Sequence, residues 1–283
     1  MLRERVADDI YVFTSEIYAQ VTAGAVVTSD GAILIDTLVF PSEAREIRSF
    51  LEGRLNCPVR YVINTHYHAD HTYGTCFFPE ALVVSHDLCR QLLDTRGRAA
   101  LASARSNTPD LAAVEIVLPT VVFDQGCLNL HLGNKTVSMW HAPGHSPDGT
   151  VCLVEDDRVL FASDIIMPVP YFVDGGYEDF IASLHALKNQ GFENIVQGHG
   201  EVILRGEIED KIDDDLRYLA EVHKHALAAL EAKDPDAYLE SVTIESCGKS
   251  RIPLNGVVQT LHRNNLRARY EQLKAAAPHP VKG

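Results

Sequence analysis

The chain has 283 residues, 46% of them hydrophobic and 23% charged, with a formal net charge of −14. This is ordinary soluble composition, enough for one large domain or two small ones. The acidity argues against nucleic acid or an anionic membrane as partner, since both call for basic patches. No run approaches the roughly 18 apolar residues of a membrane span, and Met1-Leu2-Arg3-Glu4-Arg5 leads into Val6-Ala7-Asp8-Asp9 rather than a signal-type apolar stretch. A cytoplasmic location and a small-molecule substrate are therefore expected. The six cysteines are scattered without a Cys-x-x-Cys pair, which predicts reduced thiols and no thiolate zinc site.

In chain order, residues 10–14 and 21–28 are predicted strands, and Asp30-Gly31 is a hairpin turn signal. Residues 32–36 form a buried strand ending in the Asp36 carboxylate. Pro41-Ser42 opens a helix with Ala44, Ile47 and Leu51 on one face and Gly53 as its stop. The apolar run 60–64 is a strand that ends just before His66. Residues 81–84 are a short strand, after which Ser85 caps a helix to about Arg96. Breakers at Gly97 and Pro109 leave 97–118 as a surface helical insert bordering the site. Strands resume at 121–123, 128–132, 136–140, 151–154 and 159–162, with a hairpin over 155–158. A helix over about 178–190 turns Ile181, Leu184 and Leu187 inward, and 194–197 is a further strand. Ile208, Ile212, Leu216, Leu219 and Val222 recur at helical spacing, predicting a long amphipathic helix from 206 to about 232 that Asp234-Pro235 ends. A last helix covers about 257–275, and Ala277-Pro278-His279-Pro280 is expected to fray.

The chemistry concentrates in His66-Tyr67-His68-Ala69-Asp70-His71, three imidazoles and a carboxylate at a strand end. Strand ends are where α/β proteins build sites, and a nitrogen–oxygen ligand set of this kind suits zinc. In an extended segment residues two apart point the same way, so His66 and His68 can face one ion while Asp70 and His71 face elsewhere. Three further candidates share the strand-end setting: His145 in Pro143-Gly144-His145-Ser146, Asp164 in Ala162-Ser163-Asp164, and His199 in Gly198-His199-Gly200. Taken singly, each has a plain reading as turn residue, helix cap or loop histidine.

Together, in this order and spacing, these motifs resemble the metallo-β-lactamase superfamily over roughly residues 10 to 205. The resemblance implies an α/β four-layer αββα sandwich, with residues 1–205 as the catalytic domain and 206–283 as a helical extension packed on it. It implies two Zn²⁺ ions, one bound by His66, His68 and His145 and the other by Asp70, His71 and His199, with Asp164 bridging. Asp36 matches a position that orients a ligand imidazole. The implied activity is hydrolysis of an ester, thioester, lactone or amide by a metal-bridging hydroxide that Asp70 also orients. Tyr171 is a candidate catalytic donor to the carbonyl. Lys249 and Arg251 are read mainly as exposed and solvated, with substrate-carboxylate binding as the second reading. His223 and His225, two apart on a helix, face different sides and form no site.

Aspartate rather than cysteine at 164 departs from one β-lactamase subclass, so β-lactamase activity is a lesser alternative. His68 departs from the oxygen-reducing diiron members, which have an acid there. A mono-iron (Fe²⁺) persulfide-dioxygenase-like oxidoreductase needs only residues that are present and stands as another alternative. A non-catalytic metal-binding protein is the last. Oligomeric state is left open.

Overall fold

The computed structural model describes residues 1–276; the predicted fraying at 277–280 lies outside the described residues. Two mixed sheets stack face to face. The first holds, in spatial order, β1 (Leu2–Ala7), β2 (Ile10–Thr14), β3 (Thr22–Thr28), β4 (Gly31–Ile35), β5 (Val59–Ile63), β6 (Leu82–His86) and β7 (Val121–Phe123). It is antiparallel as far as β4 and parallel from there on. The second holds β8 (Cys127–Leu132), β9 (Lys135–His141), β10 (Thr150–Val154), β11 (Val159–Ser163), β12 (Asn194–Gln197) and β13 (Ile203–Leu204), antiparallel except for the parallel β11–β12 pair.

Strand periodicity explains the layering. Ile33 and Ile35 of β4 point to one face and Ala32 and Leu34 to the other, and all are buried. The first pair meets Met139, Cys152 and Phe161 between the sheets. The second pair meets Ala44, Ile47 and Leu51 from the α1 (Pro41–Arg48) side. On the second sheet, Val151, Leu153 and Leu160 face outward onto Phe180 and Leu184 of α5 (Tyr177–Leu187). The same core takes in Ile212, Tyr218 and Leu219 of the long α6 (Ile208–Glu231) and Leu266 of α8 (Val258–Ala276). The architecture is the αββα sandwich, and the C-terminal helices share a core with α5. Among the described residues no helix is long and apolar enough to cross a membrane.

Several local expectations need correction. Gly53 does not stop the first helix: α1 runs on into a wider π-type turn through Arg54. Ser85 is not the cap of the next helix. It lies in β6, and the His86 ring accepts from the Leu88 amide to open α3 (Asp87–Leu92). Gly97 does not break the chain either, because a π-type turn over Leu93–Gly97 joins α3 to α4 (Arg98–Arg105). Leu101, Leu111 and Val114 of this insert pack on Val39 and Tyr73, which seats the insert against the segment after α2 (Ala69–Thr72). Asp234-Pro235 does end α6, but it also starts α7 (Pro235–Ser241), with Asp234 accepting from the Ala237 amide at 3.1 Å. The edge strand β1 is an addition that its charged sequence did not announce.

Candidate metal centre

Each predicted ligand lies just past a strand or in the turn that follows one. After β5 the chain turns through residues 65–67, and the short α2 then carries Asp70 and His71. His145 sits in the turn between β9 and β10, Asp164 follows β11, and His199 follows β12. Backbone strain collects here. Asp36 (φ 59°) and Ser163 (φ 49°) take the left-handed conformation that side chains disfavour. Gly198 has no alternative, since a Cβ there would collide with Asp164 Oδ1 and the Ser163 backbone.

The structure brings all seven predicted ligands together. His66 Nε2 and His145 Nε2 lie 3.0 and 2.9 Å from His68 Nδ1, so three ring nitrogens converge on one point. Residues 65–67 form a turn rather than an extended run. His66 and His68 therefore converge through different ring nitrogens, not through strand alternation. Asp70, His71 and His199 form a second group, with His199 Nε2 3.4 Å from Asp70 Oδ2. Asp164 lies between the groups: Oδ1 is 3.2 Å from His71 Nε2, and Oδ2 is 3.2 Å from His145 Nε2 and 3.4 Å from His199 Nε2.

The outward-facing atoms fix the inward-facing ones. His145 Nδ1 donates to the Tyr171 carbonyl and His199 Nδ1 to the Ala19 carbonyl, each at 2.8 Å. His71 Nδ1 donates to Asp36 Oδ2 at 2.9 Å. Thr65 Oγ1 donates to the same Asp36 oxygen at 2.7 Å, which leaves its lone pairs for His66 Nδ1 at 3.2 Å. An imidazole whose outer nitrogen carries the proton presents a lone pair on the other. His71 Nε2 and Asp164 Oδ1 are buried and face each other at 3.2 Å, but neither makes a well-aligned hydrogen bond among the described residues. Buried polar atoms are rarely left so, and two of them at the convergence points fit a cation.

Charge divides unevenly across the site. Burial, then neighbouring His71 and His68, pushes His66 well below its ordinary pKa, and burial pushes His145 down to about 4. Burial also opposes charge on His71 and His199, but there the carboxylates win. Asp164, Asp36 and Asp70 hold His71 well above its ordinary value, and Asp164 and Asp70 lift His199 to about 10. Burial likewise opposes the Asp70 charge, yet His71 and His199 hold that carboxyl below the usual carboxylate range. His66 and His145 thus offer neutral imidazoles, while His71 and His199 hold protons that a cation would displace.

The remaining predicted residues separate. The Tyr171 ring lies 6.0 Å from that of His145, and its hydroxyl accepts from Asn264 of α8 at 3.4 Å. Lys249 is not exposed as expected: it is buried and bonded to Asp214 and Asp215. Arg251 is exposed and pairs with Glu245 at 3.1 Å. His223 accepts from Arg269 and His225 meets the Tyr238 hydroxyl, on separate sides of α6. The sequence reading passed over Asp148, whose carboxylate takes the Tyr67 amide at 2.8 Å, and Asp174, which reaches His68 and Tyr67. Asp148 was within sight in the His145-Ser146-Pro147-Asp148 turn; Asp174 carries no local signal. Tyr18 also borders the site, its phenol pushed up to about 12 by the Asp70 charge, then burial, then Asp164.

The family model described as the metallo-beta-lactamase superfamily matches residues 18–207. The chain belongs to this superfamily. Among its superfamily relatives, lactamase-like protein aptB of Emericella nidulans is 26% identical over 192 residues, covering 68% of this chain and 54% of the relative. The atrochrysone carboxyl ACP thioesterase of Claviceps purpurea is 24% identical over 231 residues, covering 79% of this chain and 65% of the relative. The chain thus spans about half to two thirds of the length of these two relatives. Among solved structures, the sec-alkylsulfatase Pisa1 of a Pseudomonas species superposes with a TM-score of 0.71 at 16% identity, over 98% of this chain and 52% of that one. At that identity the likeness concerns the superfamily fold alone.

Proposed function

We propose that this superfamily member is a metal-dependent hydrolase of a small acyl substrate, with two zinc ions as its cofactor. His66, His68 and His145 would hold one ion, Asp70, His71 and His199 the other, and Asp164 would serve both. The observation that carries this reading is the convergence of inner ring nitrogens from outwardly anchored imidazoles on Asp70 and Asp164, with His71 Nε2 and Asp164 Oδ1 buried and outside any well-formed hydrogen bond. When bound, such ions bring the pKa of water from 15.7 to about 7 and polarise an acyl oxygen.

The chain's own groups do the rest. Asp70 Oδ2 stands beside His199 Nε2 and accepts a hydrogen bond from an attacking water, orienting its lone pair toward the carbonyl. Asp36 and the Tyr171 carbonyl hold the His71 and His145 rings in their tautomers. The Tyr171 side chain, beside His145, is the proposed donor to the substrate carbonyl. The thioesterase relative supports an acyl bond as the target, with a thioester first.

The deciding experiment measures metal content on protein purified without added metal, followed by a panel of thioesters, lactones, esters and β-lactams. Two zinc ions per chain with cleavage of an acyl substrate is the expected result. One iron per chain, with oxygen consumed in the presence of a persulfide, overturns it.

A further inference from the structure

His68 stands apart among the imidazoles of the centre. Its side chain is 24% exposed, whereas those of His66, His71, His145 and His199 are buried. It is also reversed: Nδ1 faces the cluster, so Nε2 faces outward. The outer nitrogens of the other four meet backbone carbonyls, a buried carboxylate or strand-end hydroxyls. Among the described residues, the outer nitrogen of His68 meets only Asp174, at 3.3 Å from Oδ2.

Asp174 is itself held from two directions. The Tyr67 hydroxyl donates to Oδ2 at 2.7 Å, and Arg96 Nη1 donates to Oδ1 at 3.0 Å. Tyr67 is fixed at its other end by the buried Asp148, through its amide. Arg96 lies in the turn joining α3 to α4, one residue before the helical insert begins at Gly97. The loop bearing Asp174 is tied to the His145 turn, since the Gly176 amide donates to the Gly144 carbonyl at 3.2 Å. A lone surface ion pair would contribute little. Here three donors from two segments, residues 67–68 and Arg96, converge on one half-buried carboxylate.

We infer that Asp174 is the positioning residue for His68, and that Arg96 makes the helical insert part of the metal centre's support. A carboxylate on the outer N–H of a ligand imidazole fixes its tautomer and rotation and raises its basicity. Without Asp174, the most exposed ring of the centre is free to rotate away from His66 and His145. Arg96 holds the carboxylate in place, so the packing of the insert and the aim of His68 are linked. This inference rests on the metal-centre reading above, and its test reads metal binding rather than turnover.

The test is a zinc and cobalt titration of the full chain against a chromophoric chelator. In Asp174→Ala, one of the two metal equivalents is expected to bind about 10–100-fold more weakly, with a changed cobalt absorption spectrum. The other equivalent keeps its affinity. Asp174→Asn retains an acceptor for His68 and recovers most of the loss. Arg96→Met, on a residue whose side chain is 55% exposed, gives a smaller loss in the same equivalent. Wild-type affinity and spectrum in Asp174→Ala overturn the inference. If that variant does not fold, unchanged binding in both Asp174→Asn and Arg96→Met overturns it equally. If the wild-type chain holds no metal equivalents, the metal-centre reading fails and this inference falls with it.

Discussion

Two clusters of buried charge invite comparison. At the strand ends, Asp70, His71, Asp164 and His199 crowd together yet leave His71 Nε2 and Asp164 Oδ1 without a well-aligned hydrogen bond. Under the C-terminal extension, Lys211, Asp214, Asp215 and Lys249 form a set that closes on itself. Lys211 Nζ donates to Asp215 Oδ2 at 2.5 Å and to the Met167 carbonyl at 2.8 Å, while Lys249 Nζ donates to Asp215 Oδ1 at 2.7 Å and to Asp214. Lys211, Asp214 and Lys249 also line a cavity of about 730 Å³ that none of the seven ligand candidates borders. Burial alone therefore does not mark a functional site. Polar atoms aimed at a common point and left without well-aligned hydrogen bonds mark the first cluster, and mutual satisfaction marks the second as a brace between α6 and the segment after α7.

The sharpest way to break this comparison is at Asp70. Asp70→Ala is expected to abolish turnover and remove a metal equivalent while the chain stays folded, read by steady-state rates, metal analysis and circular dichroism. Activity that survives this change sinks the proposed mechanism. The converse change is Asp215→Ala, which leaves Lys211 with only the Met167 carbonyl and Lys249 with only Asp214. It should cost about 3–5 kcal/mol of stability in denaturant melts and leave metal content unchanged. A loss of metal with stability intact would reverse the roles given to the two clusters.

Smaller effects sharpen the picture. Asp36→Ala removes the outer partner of His71 and the acceptor of buried Thr65, so metal affinity should drop about 10–100-fold together with some stability, measured by chelator competition and denaturant melts. An unchanged affinity would make Asp36 merely a strand-end turn residue. Finally, His199, at about 10, is protonated at neutral pH before an ion arrives. Metal uptake must displace that proton, so apparent affinity should weaken as pH falls, by about tenfold per unit for each proton displaced. Calorimetry in buffers of different ionisation enthalpy would count the protons; zero release contradicts the charge assignment.

The ligand candidates were legible in the sequence because four of them fall within residues 66–71, and the other three sit on strand ends beside small residues. The strand β4 was legible as an unbroken apolar run, and the structure buries it on both faces. What escaped notice has physical reasons. The edge strand β1 pairs through its backbone, so Leu-Arg-Glu-Arg carries no apolar signature. Asp234-Pro235 spells both an ending and a beginning, and only the ending was taken. Lys249 looked solvated because its partners lie 34 and 35 positions away on α6. Asp174 stands in a glycine-rich loop, and its partners lie 78 to 107 positions away and reach it only in the folded chain.

The placement of the ligand groups on the two sheets has a consequence for folding. His66, His68, Asp70 and His71 follow a strand of the first sheet, while His145, Asp164 and His199 come from the second. Any ion held by these residues is a cross-link between chain segments far apart in sequence, closing long loops and tying the sheets together at one edge. Its binding energy then adds to the stability of the whole sandwich by mass action, so metal supply and resistance to unfolding rise and fall together.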